Sequence, residues 1–451
     1  MKTRRDFLAT SALAFVGLQR LMAAVPVPGL AAARFGPLVM DPQGIIDLPP
    51  GFSYRVLSRK GEKMADGFFV PGNPDGMAAF AGADGKVVLV RNHELGIDHK
   101  DSGPFPDNRK FPNNIDPALG FDIGAEGRDP QLGGTTNLVF DPATGETVRQ
   151  FLSLTGTDRN CAGGAMPWGA WITCEEPGNL TEDRGRDHGW CFEVKATAEP
   201  GVQKAVPLRA LGRFRHEAVA LDPATGILYL TEDMNDGLLY RFLPEVKNDF
   251  RAGRLQALCV VDQPKADLRN YNPKSHFPAI GRQIRVSWMD LEDTHAPEND
   301  LRTRGHAAGA AVFARGEGIH FTENGIFIAC TDGGPYRRGQ IFRLSPSGSV
   351  DTPDSIELFI ECDDASPLVN GDNLCLAPGG NLVVCEDLID PTFAERTHLR
   401  WISQDGTIST IARNSKDQSE FAGSCFDPSG KWLFVNIQGR GLTLAITGPW
   451  V

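Results

Sequence analysis

The sequence predicts an all-β protein, a six-bladed β-propeller with loop or cap insertions, on three observations. Apolar runs of strand length recur along the chain, and each stops on polar or acidic residues. Most of these runs follow a Gly-containing turn of the kind that closes tight hairpins. Several then lead into a second strand and another turn, at roughly the interval of one propeller blade. A large β-sandwich or mixed barrel is the competing architecture.

The first 33 residues stand apart. Thr3-Arg4-Arg5-Asp6-Phe7-Leu8 followed by an apolar run through Val16 reads as a twin-arginine export signal. Arg20 cuts that run too short for a stable membrane anchor, and small residues at Ala23-Ala24 and Ala31-Ala32-Ala33 offer cleavage sites. The expectation is a signal peptide over 1–33, a single propeller domain over 34–451, and export in the folded state to the periplasm or beyond by the twin-arginine machinery.

Gly51 to Ser58 is the first strand expected after the signal. Six apolar runs follow. Val87 to Val90 ends in Arg91-Asn92-His93-Glu94, Ala170 to Cys174 in Glu175-Glu176, and Ile227 to Thr231 in Glu232-Asp233. Ile326 to Thr331 ends in Asp332-Gly333-Gly334, Asn381 to Cys385 in Glu386-Asp387, and Trp432 to Val435 in Asn436-Ile437-Gln438. Asp98 to Gly134 and Lys247 to Gly305 are polar, Pro-rich and weakly periodic, so they read as loops or caps over one face.

In a propeller, equivalent strands line one axis, so equivalent strand ends point toward it. Carboxylates crowded there repel one another, and cations relieve the repulsion. Oxygen-rich sets select Ca²⁺ or Mg²⁺, whereas a thiolate selects a softer or redox metal. The stretch Asn160 to Glu176 carries both kinds of donor: Cys161 in a Gly-rich turn, then a short strand ending on Glu175 and Glu176. Gly163 and Gly164 permit positive φ or close backbone approach. His216-Glu217 begins a unit and can turn Glu217 toward the axis. Arg315 and Glu317, two apart on an extended chain, face the same way, and an arginine is the natural bidentate partner of phosphate. Asn370-Gly371-Asp372-Asn373 is a turn rich in oxygen donors.

Composition narrows the function. A net charge of -12 disfavours nucleic acid and anionic membranes as partners. No segment after the signal is long and apolar enough for a membrane helix. The nine cysteines include no CxxC pair, which argues against a structural zinc site. Walker, HExxH, GxSxG and EF-hand patterns are missing, as is a convincing dinucleotide-binding motif.

The chain resembles the PhoX-type alkaline phosphatase family of secreted bacterial propellers, from about Gly51 to Val451. The resemblance rests on RNHE at 91–94, NCAGG, PWG and TCEE within 160–176, and RHEA at 215–218. It continues through YLTED and LYRFLP within 229–244, ARGEG at 314–318, DNL at 372–374, CED at 385–387 and the closing NIQGRG and ITGPW. It implies a metal-dependent phosphatase that hydrolyses small phosphomonoesters at a cluster of Fe³⁺ and Ca²⁺ on the propeller axis. It implies Cys161 as an iron ligand, at least one of Glu175 and Glu176 as a metal ligand, and Glu217, Glu317 and Asp387 as further carboxylates of the cluster. Glu232, Asp233 and Asp372 carry over as additional metal ligands, and Arg315 as the phosphate-contacting arginine. A monomer is expected. Two other readings stay open: a calcium-dependent lactonase or phosphotriesterase-like hydrolase, which has no need of Cys161, and a non-enzymatic, calcium-stabilised extracellular propeller.

Overall fold

The computed structural model describes residues 34–450, except 125–126, 179–185, 275, 351 and 389–395. The export signal expected over 1–33 lies outside the described residues.

Two short strands come first: β1 (Ile46–Asp47) and β2 (Ser53–Arg59). β3 (Pro74–Ala81), β4 (Val87–His93), β5 (Gly133–Asp141) and β6 (Glu146–Thr157) form a four-stranded antiparallel sheet. β7 (Asn160–Met166), β8 (Ala170–Glu175) and β9 (Cys191–Lys195) form a three-stranded one. β10 (His216–Leu221), β11 (Leu228–Glu232), β12 (Leu239–Val246), β13 (Asp249–Val260) and β14 (Gln283–Asp290) follow in meander order. After helix α1 (Leu301–Ala308) come β15 (Gly316–Thr322), β16 (Gly325–Cys330), β17 (Gln340–Ser345) and β18 (Asp354–Glu361). β14 pairs with β18, so these two runs merge into one nine-stranded sheet. β19 (Gly371–Ala377), β20 (Asn381–Glu386), β21 (His398–Ile402) and β22 (Ile408–Asn414) form a sheet that β1 completes at its outer edge. β23 (Phe421–Phe426), β24 (Trp432–Ile437) and β25 (Leu442–Thr447) form the last, closed by β2.

The fold is thus all-β and propeller-like, with five hydrogen-bonded sheets among the described residues where the repeats predict six separate ones. The insertions are more ordered than loops. Lys247 to Gly305 contributes all of β13, all of β14 and part of α1. Phe105, Ile115 and Leu132 of the Asp98 to Gly134 stretch join Met64, Phe68, Leu95 and Leu152 in one apolar cluster.

Alternation along the strands builds the layers between sheets. In β8, Ala170, Ile172 and Cys174 face β10 to β13, while Trp171 faces the opposite way, toward Val90 and Leu154. In β11, Leu228 and Leu230 join the first of these layers and Tyr229 the next, with Ile326 and Phe342. Further layers join β16–β17 to β20, β20–β22 to β24–β25, and β24–β25 back to β4–β5. Each fully buried large side chain in them is worth about 1.5–3 kcal/mol in area removed from water. Because every sheet is covered on both faces, central strands such as Val87–Val90 read as continuous apolar runs.

The first strands β3, β7, β10, β15, β19 and β23 pack each on the next, and β23 packs on β3. They come close enough to exclude side chains: a Cβ on Gly164 would lie 2.1 Å from the Val219 carbonyl oxygen. One on Gly423 would lie 2.1 Å from that of Asp75. All six strands also break register with their partner near the start, at Pro74/Met77, Asn160/Gly163, His216/Val219, Gly316/Ile319, Gly371/Leu374 and Ala422/Cys425. Bulges of this kind re-aim side chains, and here they set the candidate site.

Candidate metal centre

Within or beside each bulge sits one position: Asp75, Cys161, Glu217, Glu317, Asp372 and Ala422. Two residues earlier stand Asn73, Arg159, Arg215, Arg315, Asn370 and Glu420. The carbonyl of each accepts a hydrogen bond from the end of the second strand of its unit. The donors are the N–H groups of Glu94, Glu176, Asp233, Thr331, Asp387 and Gln438, at 2.9–3.2 Å. Starts of first strands and ends of second strands therefore meet at one end of the axis. Asn73, Arg159, Arg315 and Asn370 enter their strands with left-handed φ of 42–50°. For the two arginines that conformation costs on the order of 1–3 kcal/mol.

Three overlapping groups of donors form there. Cys161, Glu176 and Glu217 make the first, Glu217, Glu317 and Asp372 the second, and Asp372, Asp387 and Glu420 the third. In each group the three donor atoms lie within 4.8 Å of one another. Glu217 and Asp372 are the shared members, so the groups run as a chain across the strand starts. Asp75 and Glu94 flank them, both held by the Gln438 amide, at 3.0 and 2.9 Å.

Burial raises the pKa of Glu217, and the charges on Asp372 and Asp233 raise it further. Glu317 shifts upward for the same reasons, opposed by Arg315. Asp372 is pushed up to about 7 by burial and by Asp387. Glu420 and Asp75 are raised as well, again chiefly by burial and neighbouring carboxylates. Burial, with Glu217 beside it, raises the Cys161 thiol; its Sγ lies 3.2 Å from the His216 carbonyl. A set of acids that cannot all ionise together, ending on a sulfur, fits multivalent cations: oxygen-rich groups suit hard ions and the sulfur suits a softer one.

The structure thus brings Cys161, Glu176, Glu217, Glu317, Asp372 and Asp387 together. It turns Glu175 and Glu232 elsewhere. Glu175 accepts hydrogen bonds from the backbone N–H groups of Asp158, Gly189 and Trp190 and pairs with His188 at 2.7 Å. Glu232 accepts from the Tyr240 hydroxyl at 2.6 Å and from the Leu238 N–H at 3.2 Å. Glu386, one residue before Asp387, pairs in the same way with Arg400 and His398. Each is one residue out of phase with the strand end that reaches the axis, and one residue is half the period of a strand.

Asp233 does reach the axis but belongs to none of the three groups. It receives Arg315 bidentately, at 2.7 and 2.9 Å. Arg315 also donates to Glu317 at 2.8 Å, while its Nη1 makes no hydrogen bond among the described residues. Sequence reasoning passed over Asp75, Arg215 and Glu420. An acid or thiol directly before a small residue at four of the six strand starts (Asp75-Gly76, Cys161-Ala162, Glu217-Ala218, Glu317-Gly318) was the signal for Asp75. Glu420 stands where three other units carry arginine and gave none.

Fold and centre define a class, a propeller-like protein whose innermost strands begin at a cluster of carboxylates and a thiol that could hold cations. The particular family follows: the family model for "Alkaline phosphatase PhoX" matches residues 33–441, and the chain belongs to that family of alkaline phosphatases. Among solved structures, PhoX from Pseudomonas fluorescens in complex with vanadate, a transition state analogue, is 17% identical, with a TM-score of 0.65. The match covers 95% of this chain and 98% of that one. A gluconolactonase from Xanthomonas campestris is 12% identical over 92% of this chain and 98% of that one, at a TM-score of 0.40. The periplasmic gluconolactonase of Pseudomonas aeruginosa is 13% identical over 86% and 90%, at 0.39. At those TM-scores the two lactonases have no bearing on this chain. No curated protein matches by sequence.

Proposed function

We propose that this phosphatase hydrolyses phosphomonoesters at the three overlapping donor groups, with Fe³⁺ and Ca²⁺ as the resident cations. The observation that carries the reading is the group formed by Cys161, Glu176 and Glu217, since a sulfur placed among buried carboxylates is what a calcium-only hydrolase lacks a use for. Cys161, Glu176 and Glu217 would hold the softer metal, with Glu217 shared toward a second. Glu317, Asp372, Asp387 and Glu420 would hold the harder ions. When bound, such cations polarise the phosphoryl oxygens and activate a nucleophile near neutral pH.

The protein's own groups do the rest. The buried carboxylates fix the cations and would by themselves repel a phosphate dianion. Arg315 would supply the opposite sign at the opening, its fork fixed by Asp233 and Glu317 and its Nη1 left to donate to a phosphoryl oxygen. The six-fold recurrence of the bulge, and of the hydrogen bond beside it, supports a six-bladed propeller over 34–451. Arg4-Arg5 supports export through the twin-arginine route, and the family supports a periplasmic or secreted monomer acting on a small phosphoester. Among the described residues no helix is long and apolar enough to cross a membrane. The test is turnover of a simple aryl phosphate by protein made through its native export route, with its metals counted in the same sample. Full activity with calcium and no iron would refute the iron assignment, and no turnover in any metal state would refute the phosphomonoester reading.

A further inference from the structure

We infer that Arg215 is a second phosphate-binding arginine, and that Asp233 positions Arg215 and Arg315 as a pair instead of holding a cation. This rests on the phosphatase reading above and deepens it.

The two arginines occupy equivalent places, each two residues before a carboxylate of the cluster, Glu217 and Glu317. Their guanidiniums converge on one oxygen: the Nη2 of Arg315 lies 2.9 Å from Oδ2 of Asp233, and the Nη2 of Arg215 lies 3.8 Å from the same atom. Each also touches a carboxylate of one donor group, Arg215 with Glu176 and Arg315 with Glu317. Those two groups meet at Glu217. The pair therefore straddles the junction between two neighbouring donor groups, each of which could hold a cation.

Their side chains are 29% and 24% exposed, so both reach the opening. Asp233 is 5% exposed and already committed to the pair. Arg215 is also incompletely satisfied: its Nε is buried and makes no hydrogen bond among the described residues. Among the described residues, beyond Glu176 and Asp233, its side chain meets only the Met234 sulfur, at 3.8 Å, a weak acceptor. A part-exposed guanidinium beside these donor groups suits an anion with several acceptor oxygens. One arginine can hold two oxygens of a phosphoryl group; two on adjacent strands can fix its orientation as well as its charge.

The test uses full-length protein purified with its metals. Affinity for inorganic phosphate is measured by titration calorimetry, KM and kcat with an aryl phosphate, and cation content by elemental analysis. Arg215→Ala should weaken phosphate binding and raise KM by roughly ten- to hundredfold, the worth of a hydrogen bond to a charged group, with cation content unchanged. Arg215→Lys, which keeps the charge without the fork, should fall between parent and alanine variant. Asp233→Asn should also raise KM with its cations in place, and Asp233→Glu should recover part of the loss. Arg215→Ala binding phosphate as tightly as the parent overturns the inference. So does a loss of cations by Asp233→Asn, which would make Asp233 a ligand. A parent that neither binds phosphate nor turns over the aryl ester overturns the underlying phosphatase reading, a different result from an unaffected variant.

Discussion

Glu175 and Glu176 are adjacent in the chain and point to opposite sides of it: Glu176 joins Cys161 and Glu217 at the axis, while Glu175 turns into the sheet against His188. The expected consequences of removing them separate cleanly. Glu175→Ala should destabilise the fold by about 3–5 kcal/mol, because it strands a buried histidine and three backbone donors. Glu176→Gln should leave the metal-free fold close to the parent but reduce cation binding. Thermal melts of both variants, with and without cations, measure this, and equal losses of stability in the metal-free state would contradict the opposed orientations.

The His188 contact also sets a pH dependence. Burial disfavours its charge, but Glu175 and Asp122 outweigh burial and raise its pKa to about 9 from an ordinary 6.5. A pKa raised on folding stabilises the protein fully below 6.5, and that contribution fades as pH rises through about 9. It amounts to something on the order of 3 kcal/mol. Unfolding free energy followed from pH 6 to 10 should fall through this window in the parent and more shallowly in His188→Gln. Parallel profiles would rule the pairing out.

Chelation should lower the melting temperature as well as stop turnover. Burial, with neighbouring carboxylates adding to it, raises the pKa values of Glu217, Glu317, Asp372 and Glu420, so without cations the folded state must protonate them or bear their repulsion. A cation present at a thousand times its dissociation constant adds about 4 kcal/mol of stability. Calorimetry before and after exhaustive chelation checks it, and an unmoved transition would show that the cluster binds no stabilising ion.

Cys161→Ser should cost about 1 kcal/mol of stability, since the thiol is one small buried group among many. It should cost far more in bound iron and in rate, because oxygen is the harder donor. A thiolate–iron bond also gives a charge-transfer band, so the parent should be coloured and the variant pale. Absorbance and elemental analysis of both decide it; a serine variant that keeps its iron and its rate removes Cys161 from the ligand set.

Much of the fold was legible in the chain. Val87–Val90, Ala170–Cys174 and Asn381–Cys385 each read as strands because a sheet covered on both faces needs continuous apolar runs bounded by glycine turns, and both are local signals. The insertions were less legible. β14 gains its place by pairing with β18, more than sixty residues away in sequence, and its own exposed, alternating residues advertise little.

The sequence by itself determined which donor types this protein owns and that they recur at strand termini: Cys161, Glu217, Glu317 and Asp387 could be named from local pattern and family motif. Only the tertiary structure decided which of two adjacent acids faces the axis, because that depends on strand phase, and a bulge shifts phase without leaving a mark in composition. It decided also that Glu420 completes the third group and that Asp233 answers to two arginines. The contacts of Asp233 with Arg315 and of Asp372 with Glu420 join residues far apart in the chain, and their proximity exists only once the first strands have closed into a ring.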